Sequence, residues 1–250
     1  MKLVTLTTLV TLGFICATIP AAGFRGSVIH YGPDSKFSGY FVKPAGSGPF
    51  PALVMIHEWW GLNDYIKGVA DQLAGDGYAV LAVDLFGKST TDPAEAFRMI
   101  RGLNQLTATT NMLSAADYLR TRPYVNPNKV GSIGWCFGGG QSLQLAINDP
   151  KLACAVIYYG KPVTDLDELR KIKAAILGLF GEADESIPMS DLDAFKKALQ
   201  KAEVGYVIST YPGAGHAFAN PTHNDSYRPE AAADAWKKTT EFLAKHLKSQ

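Results

Sequence analysis

The sequence predicts an α/β fold with a mainly parallel central sheet, helices on both faces, an N-terminal antiparallel hairpin and no lid domain. Three observations predict it. From Pro51 onward, short apolar runs alternate with stretches of helical periodicity, the pattern of parallel strands buried on both faces. Before Pro51, "FRGSVIHYG" and "FSGYFVKP" instead alternate apolar and polar residues, as half-exposed hairpin strands do. The connections are mostly short, and no Ser- or Pro-rich linker or internal repeat divides the chain, so residues 24–250 read as one domain.

In order, "PALVMIH" is a buried strand, and helical spacing follows over residues 63–76. "YAVLAVDLF" is the next strand, with one long helix expected over 93–121. "KVGSIGW" runs into a helix over 137–149, whose Leu143, Leu145 and Ala146 supply the apolar face. "LACAVIYYG" and "AAILGLFG" are further apolar strands, and Pro188 is suited to begin the helix over 188–202. "VGYVISTYP" is the last strand, before a terminal helix over 228–248.

The first 23 residues stand apart: Lys2, an apolar run over 3–19, then Ala21, Ala22 and Gly23. That order is expected of a cleaved signal peptide, which implies a secreted or periplasmic protein with no stable membrane association after cleavage. An uncleaved anchor and a lipid on Cys16 are the weaker alternatives. The rest is balanced, with 24 basic and 23 acidic residues and a net charge of +1, which gives no footprint for nucleic acid. Hydrophobic residues make up 47%, enough for a sizeable core. After cleavage two cysteines remain, Cys136 and Cys154, and Cys154 lies inside an apolar run where a thiol is expected to be buried and inert. A disulfide framework is not indicated.

Chemistry enters at "GWCFGGG", residues 134–140. A G-x-C-x-G between a strand and a helix has the form of a nucleophile elbow with cysteine at its centre. Gly134 and Gly138 would let strand and helix pass closely around a strained turn. The first N–H groups of the helix and its dipole favour negative charge on the sulfur. Such a scaffold places the acid and then the histidine later in the chain. Of the later histidines, His246 lies on the polar face of the terminal helix and His223 in a polar loop. His216, in "GAGHAF" after a strand, is the expected base. Among Glu182, Asp184 and Glu185, which follow "AAILGLFG", Asp184 is mid-turn and is the expected acid. The oxyanion would meet the backbone N–H groups of Phe137 and Trp59, the latter in "HEWWGLN". No metal is expected, since H-E-x-x-H would need histidine where Gly61 stands, and no motif implies a cofactor.

These blocks ("HEWWGLN", "VDLFG", "GWCFGGG", "YYG", "GEADESIP" and "GAGHAF", in that order) resemble the dienelactone hydrolase family, cysteine hydrolases of the α/β-hydrolase fold. The resemblance implies Cys136 as nucleophile, Asp184 and His216 as its partners, and Glu58 as a carboxylate that takes part in activating the thiol. Family members that open dienelactone hold its carboxylate with arginines, one of them four residues after the histidine. Here Asn220 stands there, and Arg98 or Arg101, on the helix after "VDLFG", is the candidate for the other arginine. Trp60, Phe86, Tyr159 and Phe218, with Trp59, are expected around the mouth of the site. The reading is a hydrolase of small esters, lactones or enol-lactones, monomeric or homodimeric. A thioesterase with the same three residues and a non-catalytic binding protein on the same scaffold are the alternatives.

Overall fold

The computed structural model describes residues 25–249, and the expected signal segment over 1–23 lies outside them. Eight strands form one sheet in the order β1-β2-β4-β3-β5-β6-β7-β8. They are β1 (Ser27–Tyr31), β2 (Phe37–Val42), β3 (Phe50–Ile56), β4 (Ala79–Val83), β5 (Val125–Trp135), β6 (Cys154–Tyr158), β7 (Ala175–Gly181) and β8 (Tyr206–Tyr211). β1 and β2 are antiparallel to each other, β2 is antiparallel to β4, and every pairing from β4 to β8 is parallel. The mixed sheet is that of the α/β-hydrolase fold, with the expected hairpin at one edge.

Alternation along each strand divides the core in two. Ala52, Val54 and Ile56 of β3 face one cluster while Leu53 and Met55 face the other. On the first face pack α3 (Gln105–Arg120) through Met112 and Leu119, α4 (Phe137–Asn148) through Leu143 and Ile147, and α6 (Met189–Lys201) through Leu192 and Phe195. On the second pack α1 (Asp64–Gly75) through Ile66 and Leu73, and α7 (Pro229–Leu243) through Ala235 and Phe242. α7 continues as a π-turn over Ala244–Lys248, which buries Leu247. Cys154 sits in the second cluster, where burial pushes its thiol up to about 12, so it is a small apolar side chain there.

The single helix expected over 93–121 is two. α2 (Pro93–Gly102) ends at Leu103, which is extended, and Asn104 then caps α3 by accepting the Thr107 N–H at 3.0 Å. The cap satisfies a donor that an uninterrupted helix would have paired internally, and that asparagine was the available signal for the break. A four-residue helix, α5 (Leu166–Leu169), fills the β6–β7 crossover and was not expected.

Candidate active site

The strand–helix junction at Cys136 is as tight as its glycines imply. Cys136 has φ +56° and ψ −120°, a conformation that costs any residue with a Cβ, and it forms the N-cap of α4. A Cβ on Gly134 would lie 2.1 Å from the Gly138 carbonyl oxygen, and one on Gly138 would lie 2.4 Å from that of Ile56. Both obstacles are backbone, so neither can swing aside. Gly138→Ala is therefore expected to destabilise the protein by about 3 kcal/mol, read as a lower urea midpoint with an unchanged slope. A midpoint equal to wild type would mean that α4 does not need this close approach to β3.

The crossing brings α4 against the end of β3 and the loop that follows it. The loop 57–63 therefore lies beside the first turn of α4, whose N–H groups have no acceptor within the helix. Phe137 and Trp59, the expected oxyanion donors, belong to these two adjoining segments. The Phe137 ring lies 6.1 Å from that of His57 and 5.1 Å from that of Phe86, nearly parallel to both.

Three side chains from three strand ends converge here. His216 Nε2 lies 3.0 Å from Cys136 Sγ, and His216 Nδ1 lies 2.7 Å from Asp184 Oδ2. The loops carrying acid and histidine are joined by the backbone, since the Ala183 N–H donates to the Ala214 carbonyl at 2.9 Å. Asp184 is buried, which opposes its ionisation, but hydrogen bonds from His216 and from the Ser186 N–H outweigh that and hold the carboxylate below its ordinary range. Burial likewise disfavours the His216 cation, yet its bonds to Asp184 and Cys136 raise it to about 10. The imidazole is thus held protonated at neutral pH. Of the other two acids after β7, Glu182 accepts from the Thr210 hydroxyl at 2.8 Å and Glu185 is exposed.

Glu58 is 2% exposed. Burial pushes its carboxyl up to about 7, while the Asn220 amide that donates to Oε2 and the charge on His216 pull the other way. Asn220 is itself buried, and its Oδ1 accepts from the Thr222 N–H at 2.9 Å. It therefore positions Glu58 and does not face a substrate. The neighbouring His57 has one allowed tautomer. Its Nδ1–H donates to the Glu58 carbonyl (2.6 Å) and its Nε2 accepts the Leu85 N–H (3.1 Å), which ties the loop after β3 to the loop after β4. In the sequence His57 stands only as the first residue of an incomplete H-E-x-x-H, and nothing there signals this bond between two loops. Among the described residues no group of three His, Cys, Asp or Glu side chains is placed to hold a metal ion.

The aromatic residues separate by depth. Trp59 and Trp60 are partly exposed, 4.6 Å apart between ring centroids, and the Trp60 indole N–H donates to His223 Nε2 at 3.0 Å. His223, read from the sequence as an unfixed loop residue, thus holds Trp60 in place. Phe86 is partly exposed above Phe137, its backbone N–H fixed by the Asp84 carboxylate at 3.1 Å. Tyr159 is fully buried, at φ +35°, with its ring 5.2 Å edge-on to His216. Its hydroxyl has no hydrogen-bond partner among the described residues. Phe218 is also fully buried, 4.9 Å from Tyr211 and 5.4 Å from Tyr159, so it backs Tyr159 in the core and does not line the mouth. Arg98 is not brought to the three convergent side chains. It pairs with Glu95 one turn away on α2 and faces a cavity of about 680 Å³ that Cys136, Asp184 and His216 do not line. Arg101 lies over the Phe97 ring, on the same helix.

The family model described as "Dienelactone hydrolase family" matches residues 37–247. A protein named "Putative carboxymethylenebutenolidase" from Synechocystis sp. is 32% identical, over 85% of this chain and 93% of its own. One named "Probable 2-oxo-3-(5-oxofuran-2-ylidene)propanoate lactonase" from Bradyrhizobium sp. is also 32% identical, over 83% of this chain and 89% of its own. Among solved structures, a dienelactone hydrolase-like promiscuous phosphotriesterase from metagenomic libraries superposes with a TM-score of 0.81. It is 26% identical, over 88% of this chain and 98% of that one.

Proposed function

This chain belongs to the dienelactone hydrolase family and is a hydrolase of ester bonds, and from that premise we propose that it cleaves small esters, lactones or enol-lactones through an acyl-thioester on Cys136. The observation that carries the reading is the continuous line from Cys136 Sγ through His216 to Asp184, at 3.0 and 2.7 Å. His216 Nε2 carries the proton as the sulfur attacks the acyl carbon and the carbonyl electron pair moves to oxygen. The N–H groups of Phe137 and Trp59 receive that oxyanion. Collapse expels the alkoxide or enolate, which takes the proton from Nε2. For a lactone the leaving group stays attached to the acyl chain. A water molecule then gives its proton to His216 and adds to the thioester carbon. The sulfur departs and the acid product leaves.

Asp184 holds the imidazole with a proton on Nδ1 and stabilises it as the cation, both before the attack and when water gives up its proton. Glu58, buried close by with a carboxyl near neutrality, is suited to share in controlling the thiol. The leader-like residues 1–23 support export, so this thiol would work in an oxidising compartment, where control of its reactivity matters.

The test is to quench the protein with acid during turnover of a slowly deacylating ester and map the adduct by mass spectrometry. One acyl group is expected on the peptide that carries Cys136, and none in Cys136→Ala. Turnover with no adduct on that peptide, or an adduct elsewhere, would remove Cys136 as the nucleophile.

A further inference from the structure

We propose that His223 is a positioning residue for the oxyanion hole, and that through Trp60 it holds the Trp59 N–H where the oxyanion forms. The proposal rests on the acyl-thioester reading above and adds what aims one of its two donors. Trp59 is the second residue of a tight turn, closed by the Gly61 N–H donating to the Glu58 carbonyl at 3.2 Å. The closing bond does not use the N–H of the second residue, and the Trp59 N–H has no hydrogen-bond partner among the described residues. The residues just before the turn lie against the start of α4. A Cβ on Gly138 would be 2.4 Å from the Ile56 carbonyl oxygen and 2.5 Å from that of His57. An unpaired donor thus stands on the loop that adjoins the nucleophile turn.

The loop that carries the base is what fixes it. Both neighbours of Trp59 are tied across to the β8–α7 loop. Glu58 accepts from the Asn220 amide, and the Trp60 indole N–H donates to His223 Nε2 at 3.0 Å. The indole and imidazole planes are 24° apart with centroids 5.7 Å apart, so the N–H meets the lone pair nearly in plane. Partial burial and the nearby His216 charge hold His223 below its ordinary range, which keeps Nε2 an acceptor at neutral pH. His223 is itself anchored, since its N–H donates to the Asn220 carbonyl at 3.2 Å and its carbonyl accepts the Tyr227 N–H at 2.9 Å. The Asn220 N–H donates in turn to the Ala217 carbonyl at 3.0 Å, beside His216. One run of turns therefore sets the base and an anchor on each side of Trp59. Thr90 holds the peptide after Trp60, by donating to its carbonyl at 2.9 Å, and leaves the peptide before Trp59 to the two side-chain ties. Aim matters here because a displacement of about 1 Å at a reacting centre costs up to about a hundredfold in rate.

The experiment sets ester hydrolysis against thiol alkylation in His223→Leu, Trp60→Phe, the double variant and His223→Gln. Iodoacetamide reacts at a saturated carbon, where the S–C bond forms as iodide leaves, so it needs the sulfur but no oxyanion hole. Cys154 is buried, so the label reports Cys136. Each single variant, His223→Leu or Trp60→Phe, is expected to lower kcat/KM for p-nitrophenyl acetate about tenfold, and the double variant no further. Alkylation should stay within about twofold of wild type in all of them, because the donor it spares is the one displaced. His223→Gln, whose amide oxygen can accept the indole N–H, should stay within about threefold of wild type for the ester. Trp60→Phe keeps a ring on a partly exposed residue, so the comparison stands even if His223→Leu does not fold. Wild-type ester hydrolysis in Trp60→Phe, losses that multiply in the double variant, or alkylation falling in step with hydrolysis would each overturn the proposal. The last would assign the effect to His216 and the thiol. Undiminished ester turnover by Cys136→Ala would instead overturn the acyl-thioester reading on which the proposal rests.

Discussion

Cys136→Ala is expected to lower kcat/KM for a small ester by about ten-thousand-fold or more, with the folded state retained. The kinetic loss follows from what is removed. On the acyl-thioester mechanism proposed above, removing Sγ removes the attacking atom, and only the N–H groups of Phe137 and Trp59 and general binding would remain to accelerate hydrolysis by water. Retention of the fold is the less obvious half and has its own reason. Cys136 sits at φ +56°. Cysteine and alanine both carry a Cβ, so both meet the same backbone cost there. Alanine loses one hydrogen bond to His216, about 1 kcal/mol, and fills no new space. A glycine would relax the turn and confuse chemistry with strain, which is why alanine is the cleaner probe. Denaturant midpoints measured beside the kinetics would separate the two. Residual turnover within a hundredfold of wild type, on a protein shown free of wild-type contamination, would mean that another group performs the attack.

How far the sequence carried this picture depends on where each side chain is fixed. The sheet was legible because its strands are continuous apolar runs, and a run buried on both faces has few other ways to fold. The juxtaposition of Cys136, Asp184 and His216 was legible because strand ends position them, and chain order then restricts the choice of partners. Asp184 was separable from Glu182 and Glu185 only by its place in the turn. The structure adds that Asp184 is buried on His216 while Glu182 turns to Thr210. What was not legible lies where two loops from different strands meet. The polar loop of His223 gave no sign that Trp60, 163 positions earlier, would bond to it. Asn220 and Glu58, 162 positions apart, form a buried pair of the same kind. Phe218 reads the same in sequence whether it lines a mouth or backs a neighbour, because periodicity does not act in an irregular loop.

Asp184→Asn is expected to cost about a thousand- to ten-thousand-fold in kcat while leaving the three positions in place. The side chains are nearly the same size, so the effect lies in charge and proton placement. In the wild type the carboxylate accepts from His216 Nδ1–H, which leaves Nε2 facing Cys136 Sγ, where the proposed mechanism needs it to give a proton to the leaving group. An amide can present its NH₂ to Nδ1 instead, which forces the proton onto Nε2 in the neutral ring and blocks it as a base. The pH profile gives a second and independent readout. Because His216 is raised to about 10 in the folded protein, above its ordinary value, its pairing with Asp184 contributes stability that is fully present below the ordinary histidine range. That contribution is lost as pH rises through about 10. Asp184, held below its ordinary range, loses its share as pH falls through that lowered value. The pair is therefore strongest between those limits, and the variant should lose that window. Its stability advantage at neutral pH should shrink, and the alkaline limb of kcat/KM should move down from near 10 toward the ordinary histidine range. A variant with the wild-type alkaline limb and less than a tenfold loss in kcat would show that Asp184 only packs against the histidine loop, and the base would then need another orienting group.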